Sequence, residues 1–212
     1  MNCLLKQYWH WKLQGSPFQS LFAHSDSDNN EYVSIDCETT SLEPTRAELV
    51  TIAATKIIDN RVITSAPLHI KLKAPQSLDE SSIKVHQIRH QDLGDGLDEK
   101  EALQQLLDFI GQRPIVGYHI RYDKRILDIA FKKHFGFPLP NNIIEVSHIY
   151  QQKLERHLQN AYFDLSLEAI CRHLELPIRD HHNALQDAIT AALVFVRLTK
   201  GDLPSLNMPH IK

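Results

Sequence analysis

Apolar and polar positions alternate across Glu31 to Asp36. Val33, Ile35 and Cys37 fall on one side, and Tyr32, Ser34 and Asp36 on the other. A period of two predicts a β-strand with its faces in different surroundings. Leu49 to Ile58 is a second apolar, β-branched run. Asp59-Asn60 follows it and reads as a hairpin turn that lacks the favoured glycine. Arg61 to Ser65 and Leu68 to Leu72 supply a third strand, so an antiparallel meander is expected. After an irregular stretch through Ser81 and His86 the period lengthens. Asp98-x-x-Glu101 reads as a capping box. It opens a helix with Leu103, Leu106, Leu107 and Ile110 on one face and Gly111 as C-cap. Pro114 to Gly117 predicts a short buried strand. Arg121 to His134 predicts a helix with Ile126, Ala130 and Phe131 inward. Ile143 to Val146 predicts a last strand, leading into a helix near His148 to Leu154. Ser166 caps a helix bearing Leu167, Ile170, Cys171 and Leu174, which stops at Leu176-Pro177. Ala184 to Lys200 predicts the final helix, with Leu185, Ala188, Ala192, Phe195 and Leu198 at helical spacing.

A meander followed by strands alternating with helices indicates an α/β domain with a mixed sheet. Several α/β folds share that pattern. Residues 1–30 read as an appendage: Tyr8, Trp9, Trp11 and Leu13 in a short helix, a break at Ser16-Pro17, a turn carrying Phe18, Leu21 and Phe22, then a polar linker. The aromatic side chains are expected to pack on the main domain. That domain spans residues 31–202, with 203–212 as a short tail.

The bulk numbers narrow the class. A chain of 212 residues, 42% hydrophobic and 23% charged, fits one soluble domain beside its appendage. No stretch approaches the roughly 20 apolar residues that span a bilayer, and no secretory signal is visible. Cys3, Cys37 and Cys171 are odd in number and show no CxxC spacing, as expected of reduced cytoplasmic thiols. A net charge of −3 excludes a global basic field that recruits nucleic acid.

The candidate chemistry lies in three acidic segments. Asp36 and Glu38 are two apart at a strand end, so both carboxylates project from one face, as two ligands of one hard cation must. A solvated acidic pair is the plain alternative. Asp123 begins a helix, where an acid is favourable on dipole grounds alone. Within one helix, His182 and Asp187 would point about 140° apart. Asn183-x-x-Gln186, however, reads as a capping box with Asn183 at N-cap. His182 then precedes the cap and Asp187 lies in the first turn, positions that meet in a staple. An ordinary capped helix with a surface histidine is the alternative.

Together these strings resemble the DEDD superfamily of 3′→5′ exonucleases, in the subgroup whose last motif carries histidine. The likeness is to the proofreading exonuclease family of DNA polymerase III epsilon subunits. Asp36-Cys37-Glu38-Thr39-Thr40-Ser41-Leu42 resembles its D-x-E-T-T-G-L, with Ser41 in place of glycine. If that position requires positive φ, Ser41 is strained. Val85-His86-Gln87-Ile88 resembles V-H-G-I, with Gln87 in place of glycine. Gly117 to Asp123 resembles G-H-N-x-x-F-D, with Tyr118-His119 replacing His-Asn and Tyr122 replacing Phe. His182 to Ala188 resembles H-x-A-x-x-D-A.

The resemblance implies the ribonuclease H-like exonuclease fold, a mixed five-stranded sheet with an antiparallel meander and flanking helices. It also implies two Mg²⁺ or Mn²⁺ ions held by Asp36, Glu38, Asp123 and Asp187, and His182 as general base; a free imidazole with a pKa of about 6.5 suits that task. Thr39, Thr40, His86 and Tyr122 become substrate-binding candidates. The implied reaction removes nucleoside 5′-monophosphates from single-stranded or frayed 3′ ends of DNA. An exoribonuclease of the same superfamily and a catalytically silent polymerase-docking module remain alternatives. Epsilon subunits carry a polymerase-binding tail; this chain ends about a dozen residues after its last predicted helix, so a stand-alone or differently recruited nuclease is expected. No membrane contact is expected.

Overall fold

The computed structural model describes residues 3–23, 30–156, 163–178 and 183–204. Three consecutive strands form the predicted meander: β1 (Glu31–Thr39), β2 (Leu49–Ile58) and β3 (Arg61–Lys71). Asp59 and Asn60 make the β2–β3 turn with φ of 48° and 63°. These two residue types tolerate left-handed backbone, which is why no glycine is needed. β3 runs unbroken as the single expected third strand, and an irregularity between Ala54 and Lys56 of β2 absorbs the register change.

Two short parallel strands complete the sheet, β4 (Ile115–Gly117) beside β1 and β5 (Ile143–Glu145) beside β4. The strand order is β3-β2-β1-β4-β5. The mixed five-stranded α/β sheet expected from the sequence is therefore present. Parallel pairing puts the C-terminal ends of β1 and β4 at the same sheet edge, where ligands of open α/β sheets gather.

Helices cover both faces. On one face, α3 (Glu99–Ile110) and α4 (Ile120–Phe135) bury Leu103, Leu106, Ile110, Ile126 and Phe131 against Val33, Ile35 and Cys37 of β1. On the other, α5 (Val146–Glu155), α6 (Leu167–His173) and α7 (Ala184–Lys200) close a second cluster around Val116, Tyr150, Ile170 and Phe195. Buried alanines 184, 188, 191 and 192 give α7 a narrow profile, which lets it lie close across β1 and β2.

Some local readings change. Residues 80–86 are not irregular but form a helix, α2 (Glu80–His86), capped by Asp79, whose carboxylate accepts the Ser82 N–H at 2.9 Å. The signal was an Asp-x-x-Ser box, less familiar than Asp-x-x-Glu. Asp98 stands at the N-cap of α3 but makes no cap bond. Its carboxylate instead accepts Lys73 Nζ at 3.0 Å, so the expected capping box does not form. The helix opened by Ser166 ends at His173, and Glu175 follows with φ of 57°.

The N-terminal segment forms α1 (Cys3–Lys12) and a 3₁₀ turn at Gln19–Phe22. Trp9, Phe18 and Phe22 contact Phe137, with centroids 6.5, 5.2 and 5.4 Å from its ring. The expected packing on the main body is thus observed for Trp9, Phe18 and Phe22, whereas Tyr8 and Trp11 stay exposed on the outer side of α1. Cys3, Cys37 and Cys171 are free thiols. Among the described residues no helix is long and apolar enough to cross a membrane.

Candidate active site

β1 continues past Asp36 to Thr39, and its alternation sends Asp36 and Glu38 to the face covered by α7. Asn183 caps α7 by accepting the N–H groups of Leu185 and Gln186, both at 3.2 Å. This sets Asp187 in the first turn, beside the strand end. One carboxylate oxygen from each of Asp36, Glu38 and Asp187 lies within 4.8 Å of the others.

Asp123 arrives from the opposite face. Gly117 ends β4, and a Cβ there would meet the Ile120 side chain at 2.8 Å, so a larger residue would have to displace Ile120 at the start of α4. Asp123 is 4% exposed, and its carboxylate accepts the Cys37 N–H at 3.2 Å. His119, the N-cap residue of α4, has φ of 55° and makes no side-chain cap. Glu145 does that work from the end of β5, accepting the N–H groups of His119 at 3.1 Å and Ile120 at 3.0 Å.

The electrostatics follow first from burial and then from crowding among the four acids. Burial, then repulsion from Asp123, Glu38 and Asp187, holds Asp36 well above the usual carboxylate range. Burial and Asp187 push Glu38 up to about 7. Burial is also the main reason that Asp123 rises to about 7, with backbone hydrogen bonds opposing it. A cation bound among these carboxylates would offset both their burial and their repulsion and so favour their charged forms. Oxygen-only donors at this separation fit a hard divalent ion such as Mg²⁺ or Mn²⁺.

These acids open into a cleft of about 330 Å³. Thr39, His86 and Tyr122 line it too. His86 ends α2 and is 4% exposed; its Nδ1 accepts the Ile88 N–H at 3.1 Å, so in the neutral ring the proton sits on Nε2. Gln87, in place of glycine, takes φ of 60° to end α2, whereas Ser41 is not among the positive-φ residues. The strain falls at the second substituted glycine and not the first. Thr40 does not line the cleft; its hydroxyl binds Ser77 Oγ at 2.7 Å and accepts the Glu48 N–H at 3.1 Å. His182 lies outside the described residues.

Sequence reasoning passed over three contributors. Leu42, 90% exposed, and Tyr118 line both this cleft and an adjoining cavity of about 880 Å³, and Glu145 lines the larger cavity. Leu42 closes the first motif, which was a usable signal. Glu145 follows an apolar pair with nothing local to mark it as a cap for a different helix.

A family model described as "Exonuclease" matches residues 33–195. The chain is 28% identical over 182 residues to a PolC-type DNA polymerase III of Thermotoga petrophila, covering 86% of this chain and 13% of that protein. It is 28% identical over 179 residues to the DNA polymerase III subunit epsilon of Haemophilus influenzae, covering 81% of this chain and 68% of that one. The chain thus spans about an eighth of the PolC-type relatives. Among solved structures, E. coli Exonuclease I in complex with a dT13 oligonucleotide is similar with a TM-score of 0.69 and 14% identity, over 80% of this chain and 41% of that one. Exonuclease X in complex with 5′ overhanging duplex DNA is similar with a TM-score of 0.61 and 20% identity, over 79% and 90%.

Proposed function

Because the chain belongs to the exonuclease family, we propose that it is a divalent-metal-dependent nuclease that shortens DNA from the 3′ end, releasing nucleoside 5′-monophosphates. The observation that carries this reading is the meeting of Asp36, Glu38 and Asp187 within 4.8 Å in a cleft that Thr39, His86 and Tyr122 also line.

In this reading residues 31–202 are the catalytic unit, with 1–30 as an appendage and 203–212 as a tail. Asp36, Glu38 and Asp187 would hold one ion, and Asp123 with Asp36 would support a second; such ions would supply charge stabilisation for the attacking and leaving oxygens. His182 accepts the proton of the attacking water; it precedes the α7 N-cap by one residue and Asp187 by five in the chain. Thr39 and His86 hold the terminal nucleotide. DNA is the favoured polymer because the relatives are named DNA polymerases and the similar structures hold DNA. Intact carboxylates argue against a silent docking module.

A digestion panel of matched single-stranded, duplex, mismatched and RNA oligomers with Mn²⁺ tests this. The expected result is faster loss of 3′-terminal nucleotides from single-stranded and mismatched DNA than from RNA. Equal or faster cutting of RNA would overturn the substrate assignment.

A further inference from the structure

Glu145 ends β5 opposite Gly117 of β4, and its one carboxylate serves two helix starts. Toward α4, one oxygen accepts the His119 N–H at 3.1 Å and the other accepts the Ile120 N–H at 3.0 Å. Toward α5, where Glu145 is itself the N-cap, the first oxygen also accepts the Ser147 hydroxyl at 2.9 Å and the Ser147 N–H at 3.3 Å. Only a carboxylate suits four donors shared between two oxygens. An amide has one accepting oxygen and would turn an NH₂ group toward N–H groups.

The α4 half of this clamp holds a turn that the backbone disfavours. His119 has φ of 55° and ψ of 24°, left-handed backbone that costs a residue with a side chain, and it makes no cap bond of its own. The first N–H groups of a helix lack partners within it and fray when nothing caps them. Glu145 caps them from a neighbouring strand. Asp123 lies in that same first turn, four residues past His119. Its carboxylate accepts the Cys37 N–H of β1 at 3.2 Å and lines the cleft with Asp36, Glu38 and Asp187. Glu145 lines the adjoining cavity and not that cleft, so it reaches the four acids through the turn it holds.

We propose that Glu145 is a positioning residue: by clamping the left-handed turn at His119 it fixes the Asp123 carboxylate at the edge of β1, where a second ion would be held. This rests on the exonuclease reading above and adds to it a group outside the four acids on which the rate depends.

The test uses the full chain. Amide hydrogen exchange of the peptide spanning residues 117–124, in EDTA, reads the turn without metal. Calorimetry reads Mn²⁺ binding, and a 5′-labelled single-stranded oligodeoxynucleotide with Mn²⁺ gives kcat and KM. The proteins are wild type, Glu145→Gln, Asp123→Asn, their double variant, and Ser147→Ala, which loses a donor on the α5 side alone. One net hydrogen bond corresponds to about fivefold, so Glu145→Gln is expected to speed exchange in that peptide by about fivefold or more, weaken Mn²⁺ binding by about fivefold and lower kcat by about five- to twentyfold. KM for the strand should not change, and Ser147→Ala should stay near wild type in exchange and kcat. In the Asp123→Asn background Glu145→Gln should lower kcat no further. Unchanged exchange in Glu145→Gln, or losses that multiply in the double variant, overturns the inference while leaving the exonuclease reading intact. If Glu145→Gln does not fold, Glu145→Asp, which keeps a carboxylate at the α5 cap and is one methylene shorter toward α4, decides in the same way. A wild type that cuts no strand overturns both.

Discussion

Asp123 on α4 accepts the backbone N–H of Cys37 on β1 at 3.2 Å. One hydrogen bond thereby joins a helix on one face of the sheet to the strand that sends Asp36 and Glu38 to the other. The four acids converge because a parallel β1–β4 pair sets two chain ends at one edge and helix starts follow there. An amide in place of the Asp123 carboxylate keeps the acceptor and removes the charge. Asp123→Asn is expected to lower kcat by about a hundredfold or more, with the thermal midpoint within a few degrees of wild type. Digestion of a labelled strand and a melting curve check this together.

Crowded acids should make the metal a folding ligand. Mn²⁺ at about 100 times its dissociation constant contributes about 2.7 kcal/mol, or roughly 5–10 °C for a domain of this size. Adding EDTA should reverse that gain, and Asp187→Asn should remove most of it. Thermal melts with and without metal read the effect.

Without metal, burial and repulsion from Asp187 set a pH dependence. Glu38 is held up to about 7, above an unfolded glutamate at about 4.3. Between those values the folded chain binds the extra proton, so stability falls as pH rises through the window. The stability present below pH 4 is lost above pH 7. Glu38→Gln removes this contribution: relative to wild type the variant should gain stability between pH 5 and pH 8 in EDTA. Urea unfolding at the two pH values measures the difference.

Gln87 holds φ of 60° where the resembling motif has glycine. Gln87→Gly should stabilise the protein by up to about 1 kcal/mol, because the left-handed region costs glycine nothing. Denaturant midpoints with an unchanged slope would show it.

Phe22 is buried in the same core as Phe137, its ring 5.4 Å away and perpendicular. Phe22→Ala is expected to cost about 3–5 kcal/mol, so that the N-terminal segment contributes to the stability of the whole. Urea unfolding monitored by tryptophan fluorescence measures the cost.

The parts legible in the sequence were those with local causes. Alternation across β1 placed Asp36 and Glu38 on one face, and Asn183 before an apolar helix placed Asp187 in a first turn. Residues 80–86 were read as irregular because the Asp79–Ser82 cap is short and its helix has little apolar periodicity. Asp98 was misread as a working cap because its partner, Lys73, is distant in sequence. The task of Glu145 depends on β5 lying beside β4, which no local pattern states. The hydrogen bonds between Tyr122 and the Thr39–Ser41 turn join positions more than 80 apart, and only the folded sheet edge brings them into contact.

The most direct test of the account is the product pattern from a 5′-labelled single-stranded DNA incubated with Mn²⁺ and either wild type or Asp187→Asn. The account predicts a ladder shortening from the 3′ end with nucleoside 5′-monophosphates released by wild type, and neither with EDTA or with Asp187→Asn. An uncut strand, internal cleavage, or equal digestion by the two proteins would contradict it.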